Sequence, residues 1–220
     1  MKSPISWIGS KRLLAPHIVK ALPEHTIYVE PFAGSIAVLL EKPRAKKEII
    51  NDANSDLITF YRVVRHHKEA LIRYLEHIPN SRKAFDDFLQ HRGLTDIQRA
   101  ARWYVRNKLS FGAKGQHFSL NIGMSGNAFA SRSNRIAKID ALNQRLDSIA
   151  IECNDWRVMF KRYDNAETLF FVDPPYTEGT QYRGLDFTIE DHNALAETLH
   201  SISGRFVLTY NDDPLYPEHT

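Results

Sequence analysis

Apolar and polar positions along this chain alternate between two periods. Residues 26–31, TIYVEP, are rich in β-branched and aromatic side chains and predict a strand. A helix follows over 33–42, AGSIAVLLEK, opening on Gly34 and Ser35, and then a second strand over 47–52, KEIIND. Residues 55–67, SDLITFYRVVRHH, place Leu57, Phe60, Tyr61 and Val64 on one helical face. Strand–helix–strand–helix is the pattern of a parallel sheet with crossover helices. The alternation then breaks. Residues 81–92 and 95–109 read as two helices, the second with Thr95 as N-cap. Residues 110–133 scatter Gly112, Gly115, Gly123 and Gly126 among apolar positions and predict a hairpin or a mobile loop. A further helix is expected over 134–148. Strands at 149–155, 168–176 and 205–210, with a helix at 188–202, resume the alternation. The reading is an α/β sheet interrupted by a mainly helical insertion.

Composition changes this picture little. A chain of 220 residues, 43% hydrophobic and 25% charged, can bury one sizeable core, so a single domain with an insertion is expected. No apolar run approaches the ~20 residues of a membrane helix, and the polar start MKSPISWIGSKRLL is unlike a signal peptide. The lone cysteine, Cys153, allows no internal disulfide and no cysteine-based zinc site. A reducing cytoplasm is therefore expected, with Cys153 as a small apolar filler. The histidines lack ligand spacing, and no metal site is expected.

Charge changes the picture more. Residues 81–150 carry twelve Lys and Arg against five Asp, although the whole chain is only +3. No acidic residue falls between Arg99 and Ile139. A basic segment in an otherwise slightly acidic chain implies a polyanion partner; the alternative is a merely solvated face.

Ligands of open parallel sheets bind outside the carboxyl ends of the strands. Three features fall there. Gly34 opens the helix after the first strand, where a missing side chain allows close approach to the backbone. Asp52 ends the second strand, 18 residues beyond Gly34, the spacing of a carboxylate that grips ribose hydroxyls. An Asx turn or helix cap explains Asp52 equally well. The third is Asp173-Pro174-Pro175-Tyr176 at the end of FFVDPPY. Two prolines terminate a strand, but that leaves the aspartate and tyrosine unexplained.

Four blocks, SWIGSKRLL, VEPFAGS, INDANSDLI and FFVDPPY, resemble in sequence and order the Dam-type (D12 class) DNA adenine-N6 methyltransferases. The resemblance implies a Rossmann-like sheet that uses S-adenosylmethionine and releases S-adenosylhomocysteine. Residues 1–78 and 148–220 would form the catalytic α/β domain, and residues 79–147 the inserted DNA target-recognition region. Trp7 and Lys11 match the block lining the cofactor and base pockets. Phe32 and Gly34 match the loop under the methionine moiety, Asp52 the ribose-binding acid, and Asp155 a residue facing the cofactor's adenine. Asp173 also borders the cofactor. The partner implied is double-stranded DNA, met by a monomer of prokaryotic or phage origin. A companion restriction endonuclease would make this half of a restriction system.

The tetrapeptide suits amine methylation. Adenine's amino nitrogen is a poor nucleophile and lies inside the duplex, so the base must be flipped out. Asp173 and the Pro174 carbonyl would each accept a hydrogen bond from it, favouring a pyramidal nitrogen and stabilising its developing charge. Pro175 stiffens the turn, and Tyr176 offers a ring for the base to stack on. In the insertion, Arg102, Arg106, Lys108, Lys114 and Arg132 are the expected DNA contacts, with Trp103 kept for a small local core.

Two departures stand out. The second small position of the cofactor loop is Ile36, which would reshape the methionine site. The chain also closes at YNDDPLYPEHT, where the family continues into antiparallel strands, so an uncovered sheet edge is expected. The rival readings are a catalytically impaired DNA-binding relative and a methyltransferase for RNA or a protein amide.

Overall fold

The computed structural model describes residues 1–79, 81–110, 115–119, 132–176 and 187–210, with the backbone alone for 132–135. The chain divides into two compact units. One comprises Met1–Lys20, Gly34–Lys42 and Ser55–Ser148; the other comprises Ala21–Ala33, Pro43–Asn54 and Ile149–Thr220.

The second unit holds the sheet. Among the described residues five strands, β1 (Ile27–Glu30), β2 (Lys47–Asn51), β3 (Ile149–Glu152), β4 (Thr168–Val172) and β5 (Arg205–Leu208), run parallel in the order β3-β2-β1-β4-β5. Burial follows position in this order. TLFFV of β4 is buried at every residue, as expected of a central parallel strand, whereas Arg205 and Phe206 of the outer strand β5 are exposed. Two helices of the same unit, α8 (Trp156–Tyr163) and α9 (Ile189–Ser201), pack Trp156, Met159, Phe160, Leu195 and Leu199 against Val29, Ile49, Phe170 and Val172. Both connect strands in the same direction along the sheet, so right-handed crossover puts them on one face. Thr188 and Asp191 form a capping box that starts α9.

The first unit is helical. It contains α2 (Ala37–Glu41), α3 (Ser55–His66), α4 (Lys68–Glu76), α5 (Arg82–Gln90), α6 (Asp96–Lys108) and α7 (Arg132–Leu146), preceded by α1 (Ala15–Ala21). The rings of Phe60 in α3 and Tyr104 in α6 stack 5.2 Å apart, and Trp103 is buried beside Phe60 at 5.4 Å. Thr95 caps α6 by accepting a hydrogen bond from the Gln98 N–H, as its sequence position predicts.

Three helices go beyond the sequence-based pattern. Helices α1 and α4 each have a single fully buried side chain, Ala15 and Leu71. The third, α8, has Trp156, Met159 and Phe160 at helical spacing but only eight residues to display it. Most of the expected loop at 110–133 lies outside the described residues. Its described part contains an antiparallel bridge from Ser110 to Phe118. Cys153 corrects an expectation. It is exposed rather than buried, because it follows the outer strand β3.

Candidate active site

Ile49, Val29, Phe170 and Phe206 form one rung across β2, β1, β4 and β5. Three residues beyond these members stand Asp52, Phe32, Asp173 and Thr209. Four loops therefore begin at one level, on strands about 4.8 Å apart. Phe32 and Asp173 follow β1 and β4, the adjacent pair from which the sheet order runs outward both ways. That is the switch point where open α/β sheets bind ligands.

Asp52 is half-buried, and its Oδ1 accepts a hydrogen bond from the Asn54 N–H at 2.9 Å. The Asx turn considered from the sequence is thus present, and it orients the carboxylate. Its neighbour Asn51 is buried and joins three strand ends. The Asn51 amide donates to the carbonyls of Pro31 (2.9 Å) and Asn154 (3.0 Å), and its Oδ1 accepts from the Asn154 N–H (2.8 Å). Its own carbonyl accepts from the Ala33 N–H at 2.7 Å. Sequence reasoning saw Asn51 only as the end of a strand; a buried amide is costly unless every partner is supplied, which is what these loops do.

An aromatic row links the β1 and β4 loops. Phe32 meets Phe187 edge-on at 5.6 Å, Phe187 meets His192 at 4.6 Å, His192 meets Tyr210 at 5.3 Å, and Tyr210 meets Tyr176 at 5.0 Å. Near-perpendicular rings at these separations match the preferred arrangement of aromatic quadrupoles. The tetrapeptide stands at the far end. Pro174 is buried, while Asp173, Pro175 and Tyr176 are half-buried. Asp173 Oδ1 accepts from the Thr209 hydroxyl at 2.8 Å and from the Tyr176 hydroxyl at 3.3 Å. Thr209, Tyr210, His192 and Phe187 were not singled out from the sequence. The one available signal was Thr209-Tyr210 following an apolar strand, as Asp173 follows β4.

Asp155 is exposed and caps α8, accepting from the Arg157 N–H at 2.8 Å. Its carboxylate also pairs with the Arg157 guanidinium at 3.2 Å, and Arg157 reaches Asp191 at 2.5 Å. Burial pushes the Asp191 carboxyl up, but hydrogen bonds from Thr188 and Arg157 outweigh it, and the net shift is downward.

In the helical unit, Trp7, Lys11 and Gly34 occupy one neighbourhood. Gly34 has φ +46°, and a Cβ there would lie 2.6 Å from Trp7 Nε1. Its carbonyl accepts the Tyr61 hydroxyl at 2.6 Å, and the Ser35 and Ser10 hydroxyls bond at 2.8 Å. Lys11 is buried, its ammonium donating to the Gly9 carbonyl at 2.9 Å. Ile36, where the family often has glycine, takes the left-handed φ of +49° while buried.

The expected DNA contacts are varied in setting. Arg102 donates to the His91 carbonyl at 2.8 Å and lies over the Phe88 ring. Arg106 is half-buried, and burial lowers the pKa of its guanidinium. Lys108 donates to the Ser6 hydroxyl at 3.2 Å; burial, with repulsion from Lys138 and Arg12, lowers its ammonium to about 8. Arg99, on the same helix, pairs with Asp56 at 2.9 Å. Lys114 lies outside the described residues, and Arg132 opens α7 with its side chain outside them. Among the described residues, no group of His, Cys, Asp and Glu could hold a metal ion, and no helix is long and apolar enough to cross a membrane.

Comparison with known proteins identifies the family. A family model described as D12 class N6 adenine-specific DNA methyltransferase matches residues 7–218. The chain is 28% identical to Type II methyltransferase M.MjaIII of Methanocaldococcus jannaschii, over 93% of this chain and 81% of that protein. It is 30% identical to Type II methyltransferase M1.LlaDCHI of Lactococcus lactis, covering 96% of this chain and 82% of the relative. It is 28% identical to the retron Ec67 DNA adenine methylase of Escherichia coli, covering 97% and 78%.

Proposed function

We infer the reaction from a premise of descent: the chain belongs to the D12 class of N6 adenine-specific DNA methyltransferases. It is an adenine-specific DNA methyltransferase, and DNA is its substrate. The finer reading is that it takes the methyl group from S-adenosylmethionine and places it on the N6 amino group of an adenine flipped out of the duplex. The observation that carries this reading is the common level of Phe32, Asp52 and Asp173 at the switch point of a parallel sheet.

The residues present fit the cofactor. Asp52, oriented by its Asx turn, suits two adjacent ribose hydroxyls, and Phe32 offers apolar surface beside it. Asp155 is the proposed neighbour of the cofactor's adenine; with its carboxylate engaged at the α8 N-terminus and by Arg157, it would shape that wall. Trp7, Lys11 and Gly34 are assigned to the same cofactor by their motif positions. When bound, S-adenosylmethionine supplies a methyl group already activated on a sulfonium.

Asp173 does the remaining chemical work as an acceptor. Its carboxylate accepts a hydrogen bond from one amino hydrogen of the adenine and the Pro174 carbonyl accepts one from the other, turning the nitrogen lone pair out of the ring; the surplus proton leaves after methyl transfer. Pro174 and Pro175 hold that carbonyl rigid before substrate arrives. Tyr176 stacks on the flipped base, a contact of about 1–3 kcal/mol. Residues 79–147 are proposed as the target-recognition region, with Arg102, Arg106, Lys108, Lys114 and Arg132 meeting the DNA. We also propose a monomer on DNA and a companion restriction endonuclease; the Type II names of two relatives support the latter.

Incubation with methyl-labelled S-adenosylmethionine and duplex DNA, followed by digestion to nucleosides, tests this. Label is expected in N6-methyldeoxyadenosine. Asp173→Ala is expected to lose roughly 100- to 1,000-fold in kcat, the range set by removing one preorganised group, with the melting temperature nearly unchanged. Near-normal turnover by that variant would overturn the assignment of Asp173.

A further inference from the structure

The geometry points to Thr209, at the carboxyl end of β5, as the positioning residue that sets the plane of the Asp173 carboxylate. This rests on the reading of Asp173 as the acceptor of the adenine amino group.

An aspartate at the mouth of a sheet has two side-chain torsions to settle. Each misplaced rotamer turns its oxygens away from the reacting nitrogen. The Thr209 hydroxyl donates to Asp173 Oδ1 at 2.8 Å, a shorter bond than the 3.3 Å one from the Tyr176 hydroxyl. A hydroxyl-to-carboxylate bond of this length is charge-assisted and directional. The donor itself is well held. The Thr209 N–H continues the β4–β5 ladder by donating to the Val172 carbonyl at 3.0 Å, one residue before Asp173. Backbone and side chain of one threonine thus fasten both the strand end and the carboxylate.

The next residue anchors the same segment. The Tyr210 hydroxyl lies 3.3 Å from the ring nitrogens of the fully buried His192 in α9, and its ring stands edge-on to Tyr176. Thr209 is β-branched, so few rotamers compete with the one that reaches Asp173. With Oδ1 fixed by these donors, the carboxylate plane is set before the base arrives. Positioning of this kind acts on the chemical step and leaves the Asp52 end of the site alone.

Thr209→Val keeps the shape and removes the hydroxyl; Thr209→Ser keeps the hydroxyl and loses a methyl group. Single-turnover methylation of duplex DNA by the full chain should fall about tenfold or more in Thr209→Val, as expected for one lost hydrogen bond to a charged group. Most of that loss should return in Thr209→Ser. KM for S-adenosylmethionine and the melting temperature should stay near their starting values in both. Three results would each overturn the proposal: Thr209→Val within twofold of the parent; equal losses in the two variants; or a loss confined to cofactor KM. Asp173→Ala separates this claim from the one beneath it. If Asp173→Ala remains active, the acceptor reading fails first; if it is dead while Thr209→Val is normal, only the role of Thr209 falls.

Discussion

Gly34 tolerates no side chain, and two independent terms say so. Its φ of +46° costs an L-residue about 1–2 kcal/mol, and a Cβ would lie 2.6 Å from the Trp7 indole nitrogen. The glycine's own backbone has little freedom to open that space, because the Tyr61 hydroxyl fastens its carbonyl and Ser10 fastens the next residue, Ser35. Gly34→Ala should therefore lower stability by about 2 kcal/mol or more, read as a loss of roughly 4–8 °C in Tm for a chain of this size. A loss below 1 °C would show that the loop moves freely. Ile36 invites the opposite argument and fails it. Replacing it by glycine would relieve about 1–2 kcal/mol of left-handed strain, yet the side chain is 1% exposed and its removal costs about 2–5 kcal/mol. The need for glycine at 34 was legible in the sequence, since a glycine that opens a helix straight after a strand marks backbone where a side chain would obstruct a close approach. Its immediate cause, the ring of Trp7, was not, because that contact joins residues 27 positions apart in the chain.

The helix α6 shows how far element-level reading carries. Its limits, its Thr95 cap and its burial of Trp103 follow from the sequence, because capping and apolar periodicity are local. Its charges do not. Arg99, Arg102 and Arg106 share a face, yet Arg99 is committed to Asp56, and Arg102 donates to the His91 carbonyl. Lys108 differs in that burial, Lys138 and Arg12 lower its pKa from 10.5 to about 8. A bound DNA phosphate would favour its protonated form. Between pH 7 and pH 9 most of that charge is lost in the free protein, so DNA affinity should weaken by up to about tenfold over this window. Lys108→Arg should flatten the profile, since arginine stays charged. Stability moves the other way. The native state sheds this proton before the unfolded chain does, so the destabilising contribution present below pH 8 is relieved as pH rises toward 10.5. Equilibrium DNA binding at matched ionic strength across this range measures the effect; a flat profile in the parent chain would remove Lys108 from the phosphate contacts.

Taken whole, the chain passes between its two units five times, at 20/21, 33/34, 42/43, 54/55 and 148/149. The boundaries are not segment boundaries, which is why composition marked the basic stretch at 81–150 but could not mark the compact units. The five-stranded parallel sheet was legible because its strands are short apolar runs separated by helical patterns. Its order was not, since nothing in the residues states that β4 lies beside β1. That adjacency is what gives Asp52, Phe32 and Asp173 a common level, and it divides labour along the sheet edge. Asp52 follows β2 and Asp173 follows β4, with β1 between those strands. If Asp52 holds ribose and Asp173 the target amino group, a product-like ligand should feel the loss of the first and not of the second. S-adenosylhomocysteine at 100 times its Kd should stabilise the parent chain by about 2.7 kcal/mol, which raises Tm by roughly 5–10 °C. Asp52→Ala removes charge-assisted hydrogen bonds to ribose worth about 2–3 kcal/mol, so at the same ligand concentration the rise should shrink to about 1–4 °C. Asp173→Ala should keep most of the rise while losing turnover. Thermal melts of the three proteins with and without ligand decide the point: a full shift in Asp52→Ala would place the ribose elsewhere, and a shift abolished in Asp173→Ala would make that carboxylate a cofactor ligand first and an acceptor for adenine second.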